Sequence, residues 1–391
     1  METIEKFNNN VMQTYGRYPL VMEKGKDRHC VDENGKNYID FGSGIGTNSL
    51  GYCNDKWVDY VCNQVKSLQH TSNYYYTKIQ ADFAEMLCSA TGYSKVFFGN
   101  SGAEANECAI KLARKYSFDK YGKGRHNIIT LVNSFHGRTL CTLSATGQEV
   151  FHNYFFPFVE GFINVEANNI DDLESTINNS DNSICAVMLE YVQGEGGVNA
   201  LNQDFVDAVF EICEKNDILV IADEVQTGIG RTGKLLAGEH FGKKANITTL
   251  AKGLAGGVPV GACLADEKCS GVLTAGTHGS TFGGNPIACA GGIAVLETVM
   301  SEGFLDEVNQ KAELFKSELL KIEEVESVSG LGLMIGITLK DKKAGDVVKS
   351  ALERGLLLLT AKEKIRLLPP LTIQNDEIKE GLEIFKTILE E

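Results

Sequence analysis

Hydrophobic positions along the chain follow two rhythms. Short runs such as "KVFFGN" (95–100), "NIITLV" (127–132), "SICAVMLEYV" (183–192) and "DILVIADEV" (217–225) are apolar at most positions and rich in Val and Ile. They predict strands buried on both faces. Between them the apolar residues move to helical spacing. Ala109, Ile110, Leu112 and Ala113 recur in this way within "SGAEANECAIKLARKYSF", and "LNQDFVDAVFEICEKN" is a second helical stretch. Strands separated by helices imply an α/β fold whose mostly parallel sheet is covered on both sides.

The two ends read differently. "LVMEKGKDRHCVDENGKNYIDF" alternates apolar and polar residues around "ENGK", a hairpin signal with Asn-Gly at the turn. Beyond a helix starting near Pro286, a long helical stretch runs to "LLKIEEVE". The strand "LGLMIGITL", the helix "AGDVVKSALERG", the strand "LLLLT" and a last helix follow. The expected division is a large domain over residues 49–288 and a smaller α+β domain built from residues 1–48 and 289–391.

Composition narrows the function. A formal net charge of −15 over 391 residues argues against a nucleic-acid partner, which calls for basic patches. No apolar run approaches the roughly 20 residues needed to span a bilayer. "METIEKFNNNVMQTYG" has neither a basic stretch nor an apolar one, so no signal peptide is expected. The cysteines number 11, an odd count, and no CxxC pair occurs. Reduced thiols in a cytoplasm are the expectation, most of them small core fillers.

Four stretches could carry chemistry. "TTLAKGLAGGVPVGA" places Lys252 with no charge within three residues on either side. Such a lysine either snorkels to solvent or serves as a desolvated nucleophilic amine able to form a Schiff base. "ILVIADEVQTG" ends a strand in Asp223, where ligands meet open α/β sheets. That carboxylate could cap a turn, ligate magnesium, or hold a pyridine nitrogen protonated; no second acidic cluster or Walker-type loop supports the metal. "FGNSGAEANECAIKLAR" runs from strand through Ser101-Gly102-Ala103 into a helix, an anion-ready start. The same residues fit a capping box between Ser101 and Glu104, which needs no ligand. "NSFHGRTL" offers Phe135, His136 and Arg138, either as core, satisfied polar and surface residues or as a stacking face beside a carboxylate clamp. Glu190 and Glu195 in "EYVQGEGGV" and Arg366 in "IRLLPPL" are charges in apolar settings, where a lone buried charge is costly. "GSGIGT" (42–47) lacks the third glycine of a dinucleotide loop.

Taken in order, "NSGAEANE", "FHGRT", "QGEGGV", "ADEVQTGIGRTG", the "AKGL" segment and "GSTFGGNP" resemble the class-III (ω) pyridoxal-phosphate aminotransferases, with the acetylornithine enzymes nearest and the ornithine enzymes close by. The similarity runs from "TYGRYPL" to "IRLLPPL". It implies a fold-type-I transferase with a mostly parallel seven-stranded type of sheet, a homodimer with shared active sites, and pyridoxal 5′-phosphate as cofactor. It implies no metal. By the match, Lys252 is the Schiff-base lysine and Asp223 pairs with the pyridine nitrogen. Val225 and Phe135 cover the two ring faces, and Gln226 contacts the phenolic oxygen. Gly102 and Ala103 bind the phosphate, which Thr281 of a second copy completes. Glu224, beside Asp223, is also placed among the cofactor residues.

For substrates, the resemblance implies that Arg138 grips a carboxylate, with Ser280 and Tyr15 near the amino donor. Glu195 and Arg366 match a pair in which the glutamate neutralises the arginine, then swings away for a dicarboxylic keto acid. The implied reaction is ping-pong transamination of N2-acetyl-L-ornithine with 2-oxoglutarate. Gly44 and Ile45, where ornithine enzymes carry a tyrosine, leave room for an N-acyl group. Rival readings are a succinylornithine, ornithine, 4-aminobutyrate, lysine or N-succinyldiaminopimelate aminotransferase, an aminomutase, a non-catalytic dimeric binding protein, and a nicotinamide oxidoreductase. Tyr191 stands where the family usually has proline, and Tyr52 where histidine is common.

Overall fold

The central sheet is built from seven strands whose hydrophobic residues divide between two cores. The computed structural model describes residues 2–391. In spatial order the sheet runs Lys95–Gly99, Gly261–Ala265, Ile247–Leu250, Leu219–Asp223, Ile184–Leu189, Asn127–Leu131 and Phe162–Val165. Every pairing is parallel except the two made by Gly261–Ala265, which runs against both neighbours. The fold is therefore α/β with a mostly parallel sheet.

Strand pleating sends alternate side chains to opposite faces. Leu219 and Ile221 join Ala186 and Met188 under the helix Gly102–Tyr121, which contributes Ala109, Leu112 and Ala113. Val220 and Ala222 join Val187 and Leu189 on the other face, under Phe205 and Val209 of the helix Gln203–Lys215. Both faces are dry, which explains why these strands read as unbroken apolar runs.

The two ends of the chain meet. Strands Met22–Lys26, His29–Asp32 and Asn37–Asp40 form an antiparallel sheet, and Leu356–Leu357 extends it by pairing in parallel with Ile39 and Asp40. A third core cluster runs without interruption from Phe41 through Phe83, Leu250 and Leu254 to Phe315 and Phe385. Each of these large side chains contributes about 1.5–3 kcal/mol by leaving water. No single described helix is long and apolar enough to cross a membrane.

Two segments depart from the reading of the sequence. "LGLMIGITL" is not one strand: Val325–Leu331 and Met334–Leu339 form a hairpin, with Leu331 opposite Met334. Gly332 turns it at a φ of +55°, and a Cβ there would lie 2.2 Å from the Thr232 backbone. "LLLLT" also divides. Leu356–Leu357 belongs to the amino-terminal sheet, whereas Leu359–Ala361 pairs with Lys364–Leu367 in the carboxyl-terminal one. Periodicity alone does not separate the halves, because the division falls within four consecutive leucines.

Candidate active site

Strand direction gathers the site. Lys95–Gly99, Asn127–Leu131, Ile184–Leu189, Leu219–Asp223 and Ile247–Leu250 all point the same way, so the segments after them converge at one edge of the sheet. The reversed strand adds Val258, Pro259 and Val260 from its entry side. Between them lies a cavity of about 400 Å³. Asn100, Gly102, Ala103, Phe135, Arg138, Glu190, Glu195, Asp223, Val225, Gln226 and Lys252 line it.

Lys252 follows the strand Ile247–Leu250 and adopts a φ of +44°, a conformation that side chains with a Cβ rarely hold. Its amine has no hydrogen bond or ion pair among the described residues. Burial pushes its pKa down; Arg366 adds to the fall, while Glu195, Asp223 and Glu190 oppose it. A lysine in this setting holds a neutral, nucleophilic amine far more readily than one in water.

Asp223 closes the strand before it and is 4 % exposed. Its Oδ2 accepts from Asn106 Nδ2 and from His136 Nδ1, both at 2.8 Å. Its Oδ1 accepts the Val225 backbone N–H at 3.1 Å. Thr249 Oγ1 donates to Asn106 Oδ1 at 2.7 Å, so the amide that holds the carboxylate is itself held. Sequence reasoning missed Asn106 and Thr249 and weighed His136 only as a satisfied polar residue. Neither Asn106 nor Thr249 stands out in the sequence, where a helix asparagine and a strand threonine are ordinary residue types. His136 is incompletely satisfied: its buried Nε2 has no partner.

At the start of the helix Gly102–Tyr121, Ser101 and Glu104 both act as caps. Ser101 Oγ accepts from Glu104 N at 3.2 Å, and the Glu104 carboxylate reaches back to Asn100 N. The cap spends only those N–H groups. Those of Gly102 and Ala103, in the first turn, still face the cavity without intrahelical acceptors. Gly102 is dictated by space, since a Cβ there would lie 2.7 Å from Val225 Cγ1.

At the opposite end, Arg366 Nη1 donates to Glu195 Oε1 at 2.7 Å and to Gln226 Oε1 at 3.3 Å. Residues 171 positions apart thus form one ion pair, its arginine 4 % and its glutamate 32 % exposed. Arg138 is exposed at the rim, its guanidinium 4.1 Å above the Phe151 ring and 5.6 Å from that of Phe135. No carboxylate of the described residues engages it. Glu190 lies deeper and accepts from Phe135 N at 2.9 Å; burial raises its pKa to about 7.

The residues match a known family. A model of the aminotransferase class-III family covers residues 11–389. An acetylornithine aminotransferase of Haemophilus ducreyi is 49 % identical over 384 residues, 98 % of this chain and 97 % of that protein. The crystal structure of acetylornithine aminotransferase from Elizabethkingia anophelis superimposes with a TM-score of 0.88 at 33 % identity, over 99 % of this chain and 98 % of that one. An ornithine aminotransferase structure from Toxoplasma gondii gives 0.94 at 30 % identity, over 100 % and 94 %. The chain belongs to the class-III aminotransferases.

The cofactor of this aminotransferase family is pyridoxal 5′-phosphate, and the donor set fits it. The free N–H groups of Gly102 and Ala103 suit the phosphate. The Asp223 carboxylate, fixed from two sides, suits a protonated ring nitrogen, and Lys252 is the unpartnered amine. Phe135 and Val225 stand as apolar walls, and Gln226 lines the same space.

Four residues assigned from the resemblance lie elsewhere in this aminotransferase chain. Glu224 is a correction. The pleat that turns Asp223 toward Asn106 turns its neighbour to the opposite face, where the Glu224 carboxylate accepts from Ala237 N at 2.6 Å and Gly238 N at 3.0 Å. It borders a different cavity and holds a loop, not the cofactor space. Ser280 does not line the site cavity. Its Oγ accepts from Gly283 N and from Asn100 Nδ2, both at 3.1 Å, and so touches the wall from behind. Thr281 is exposed away from the cavity. Tyr15 is 74 % exposed on the amino-terminal segment, beside Arg17.

Proposed function

We propose that this enzyme transaminates N2-acetyl-L-ornithine with 2-oxoglutarate, giving N-acetyl-L-glutamate 5-semialdehyde and L-glutamate by a ping-pong course. The observation that carries the two-substrate reading is that Glu195, paired with Arg366, and the unengaged Arg138 line one cavity. The relatives named for acetylornithine favour the acylated donor, whereas Gly44 and Ile45 line a different cavity of this chain. An amine donor with one carboxylate needs one arginine, and Glu195 keeps the second neutral. A dicarboxylic keto acid needs both, and a carboxylate held by one hydrogen bond can yield its place.

Bound pyridoxal phosphate supplies an electron-withdrawing ring that spreads negative charge away from the substrate carbon. The chain's own residues do the rest. Asn106 and His136 hold Asp223 Oδ2 in place, and the carboxylate so fixed would face the ring nitrogen. Lys252, whose pKa burial lowers, would take the proton from the carbon bearing the donor amine and return it one position away. Arg138 anchors the distal carboxylate, so the reacting carbon comes to Lys252 in a fixed pose. Phe135 and Val225 exclude water from the ring faces.

We also infer a homodimer in which a second copy supplies Thr281, exposed on its own protomer, to the phosphate end and in which Tyr15 reaches the donor. On the same reading residues 49–288 form the large domain and residues 1–48 and 289–391 the small one. The test is a half-reaction panel. The purified loaded enzyme is mixed with acetylornithine, succinylornithine, ornithine and 4-aminobutyrate in turn, and the decay of its visible absorbance is followed. Acetylornithine is expected to react fastest; ornithine reacting equally well overturns the specificity, and no donor changing the spectrum overturns the reaction.

A further inference from the structure

The turn that carries Glu195 is seated on the sheet that carries Arg366. Val192–Gln193 pairs with Asn199–Ala200, and residues 194–198 close this small hairpin. Beyond it lies the carboxyl-terminal sheet, in the order Val325–Leu331, Met334–Leu339, Lys364–Leu367 and Leu359–Ala361. Two residues of the hairpin make the contact, Val198 and Asn199, and neither lines the site cavity. Val198 is fully buried, packed among Val192, Met334, Ala361 and Leu368. Its φ is +54°, a region that a β-branched side chain rarely enters. Two glycines make the slot that receives it. A Cβ on Gly336 would lie 2.8 Å from Val198 Cβ, and one on Gly330 would lie 2.9 Å from Val198 Cγ1. Gly336 stands directly opposite Arg366 where their strands pair. Residues so paired present their side chains to the same face of a sheet. Val198 therefore fills the place of the side chain that would otherwise stand beside the root of Arg366. A backbone conformation this unfavourable persists only where its surroundings enforce it.

Asn199 ties the same turn to the same sheet by hydrogen bonds. Its Nδ2 donates at 3.1 Å to the carbonyl of Gly196, the residue after Glu195. Its Oδ1 accepts from Lys364 Nζ at 2.9 Å. Lys364 precedes Arg366 by two positions, so the strand presents both side chains on one face. The Lys364 amine also donates to Ser329 Oγ at 3.0 Å, and that hydroxyl reaches Gly336 O at 3.4 Å. Asparagine, lysine and serine thus link the backbone beside Glu195 to the strand pair that bears Arg366.

We propose that Val198 and Asn199 are positioning residues that hold Glu195 against Arg366 and so set the enzyme's preference between an amine donor with one carboxylate and a dicarboxylate. The inference rests on the reading of Glu195–Arg366 as a pair that opens for the dicarboxylate. The Glu195 side chain makes one hydrogen bond, to Arg366, and is a third exposed, so its own contacts do little to keep it there. Its backbone does the holding. Val198 fixes where the turn sits over the sheet, and Asn199 fixes the peptide next to the glutamate. Loosening either one lets Glu195 exchange Arg366 for water more often, which leaves the guanidinium free for a second carboxylate.

The test is a double-mutant cycle on the loaded full-length enzyme. Decay of its visible absorbance gives kcat/KM for the half-reactions with glutamate and with acetylornithine, and the ratio of the two is the readout. Asn199→Ala and Val198→Ala are each measured alone and in a Glu195→Gln background. Each alone is expected to raise the ratio of glutamate to acetylornithine about threefold, the equivalent of one ordinary hydrogen bond. In the Glu195→Gln background each should change the ratio by less than about twofold, because residues that act through a third lose their effect once it is replaced. A residue needed only for stability would instead lower both half-reactions together. An unchanged ratio in both single variants, or a threefold rise that persists without Glu195, overturns the positioning role while leaving the switch intact. Glu195→Gln itself leaving the ratio unchanged overturns the switch, and the positioning role with it. Asn199 lies at the surface, so its truncation decides the matter even if Val198→Ala does not fold.

Discussion

The two ends of the cavity hold charge in different ways. At the ring end, Asp223 is 4 % exposed and fixed by Asn106, His136 and the Val225 N–H, with Thr249 supporting Asn106 from behind. At the substrate end, Glu195 is a third exposed and makes a single 2.7 Å bond to Arg366. A carboxylate with several buried donors cannot leave without stranding them, which costs on the order of 1–3 kcal/mol for each group left unpaired. One with a single partner near solvent can exchange that partner for water. The ring end is thus built to stay, and the substrate end to change.

The largest expected effect comes from the residue between the two ends. Lys252→Ala should lower kcat by about 10³-fold or more if the full effect is lost, the upper half of the roughly 10²–10⁴ that proton transfer by a positioned base is worth. Single-turnover decay with acetylornithine measures it, and a near wild-type rate would falsify the assignment of Lys252.

Breaking the fixed end should come next. Asp223→Ala should cost about 10²–10³ in kcat, the usual loss when a preorganised charge at the reacting centre is removed. The pH titration of the bound cofactor's absorbance should move with it. If kcat stays within about threefold, the permanent end of the comparison is wrong.

The switching end predicts a smaller and selective change. Glu195→Gln leaves Arg366 without its charge partner, so the ratio of kcat/KM for glutamate to that for acetylornithine should rise about tenfold, the equivalent of one charge-assisted hydrogen bond. Equal effects on both half-reactions would mean that Glu195 is structural.

The smallest effect on rate belongs to the neighbour of Asp223. Burial raises the Glu224 pKa from the ordinary 4.5 to about 7. A carboxyl raised in the folded state binds its proton more tightly there than in the unfolded chain. Its contribution is therefore present below about pH 4.5 and is lost as pH rises through about 7. Glu190 titrates in the same direction and window. Glu224→Gln should flatten the fall in urea midpoint between pH 5 and pH 8 while kcat stays within about twofold, as expected of a residue on the far face of the sheet. A large loss of kcat would return Glu224 to the cofactor site.

These contrasts bear on what could be read beforehand. The strand ending in Asp223, the helix beginning at Gly102 and the isolated Lys252 were legible because each follows from a local rule: apolar runs, cap chemistry, and a charge in an apolar stretch. The face of Glu224 was also legible, since Asp223 sits in phase with Leu219 and Ile221 while Glu224 sits in phase with Val220 and Ala222. The family resemblance, applied without that alternation, placed both carboxylates together. Asn106 and Thr249 carried no such signal, because a helix asparagine and a strand threonine are ordinary until a carboxylate lies between them.

The sequence by itself determined the sheet, its two dry faces, the anion-ready helix start and the acidic charge that disfavours nucleic acid. Those depend on neighbours within one or two turns of chain, where spacing fixes geometry. The tertiary structure alone decided the rest: Arg366 meeting Glu195 across 171 positions, and Asn106 and His136 closing on one oxygen of Asp223. Such pairings are set by strand order and crossover, and strand order is a property of the packed sheet, which no single segment contains.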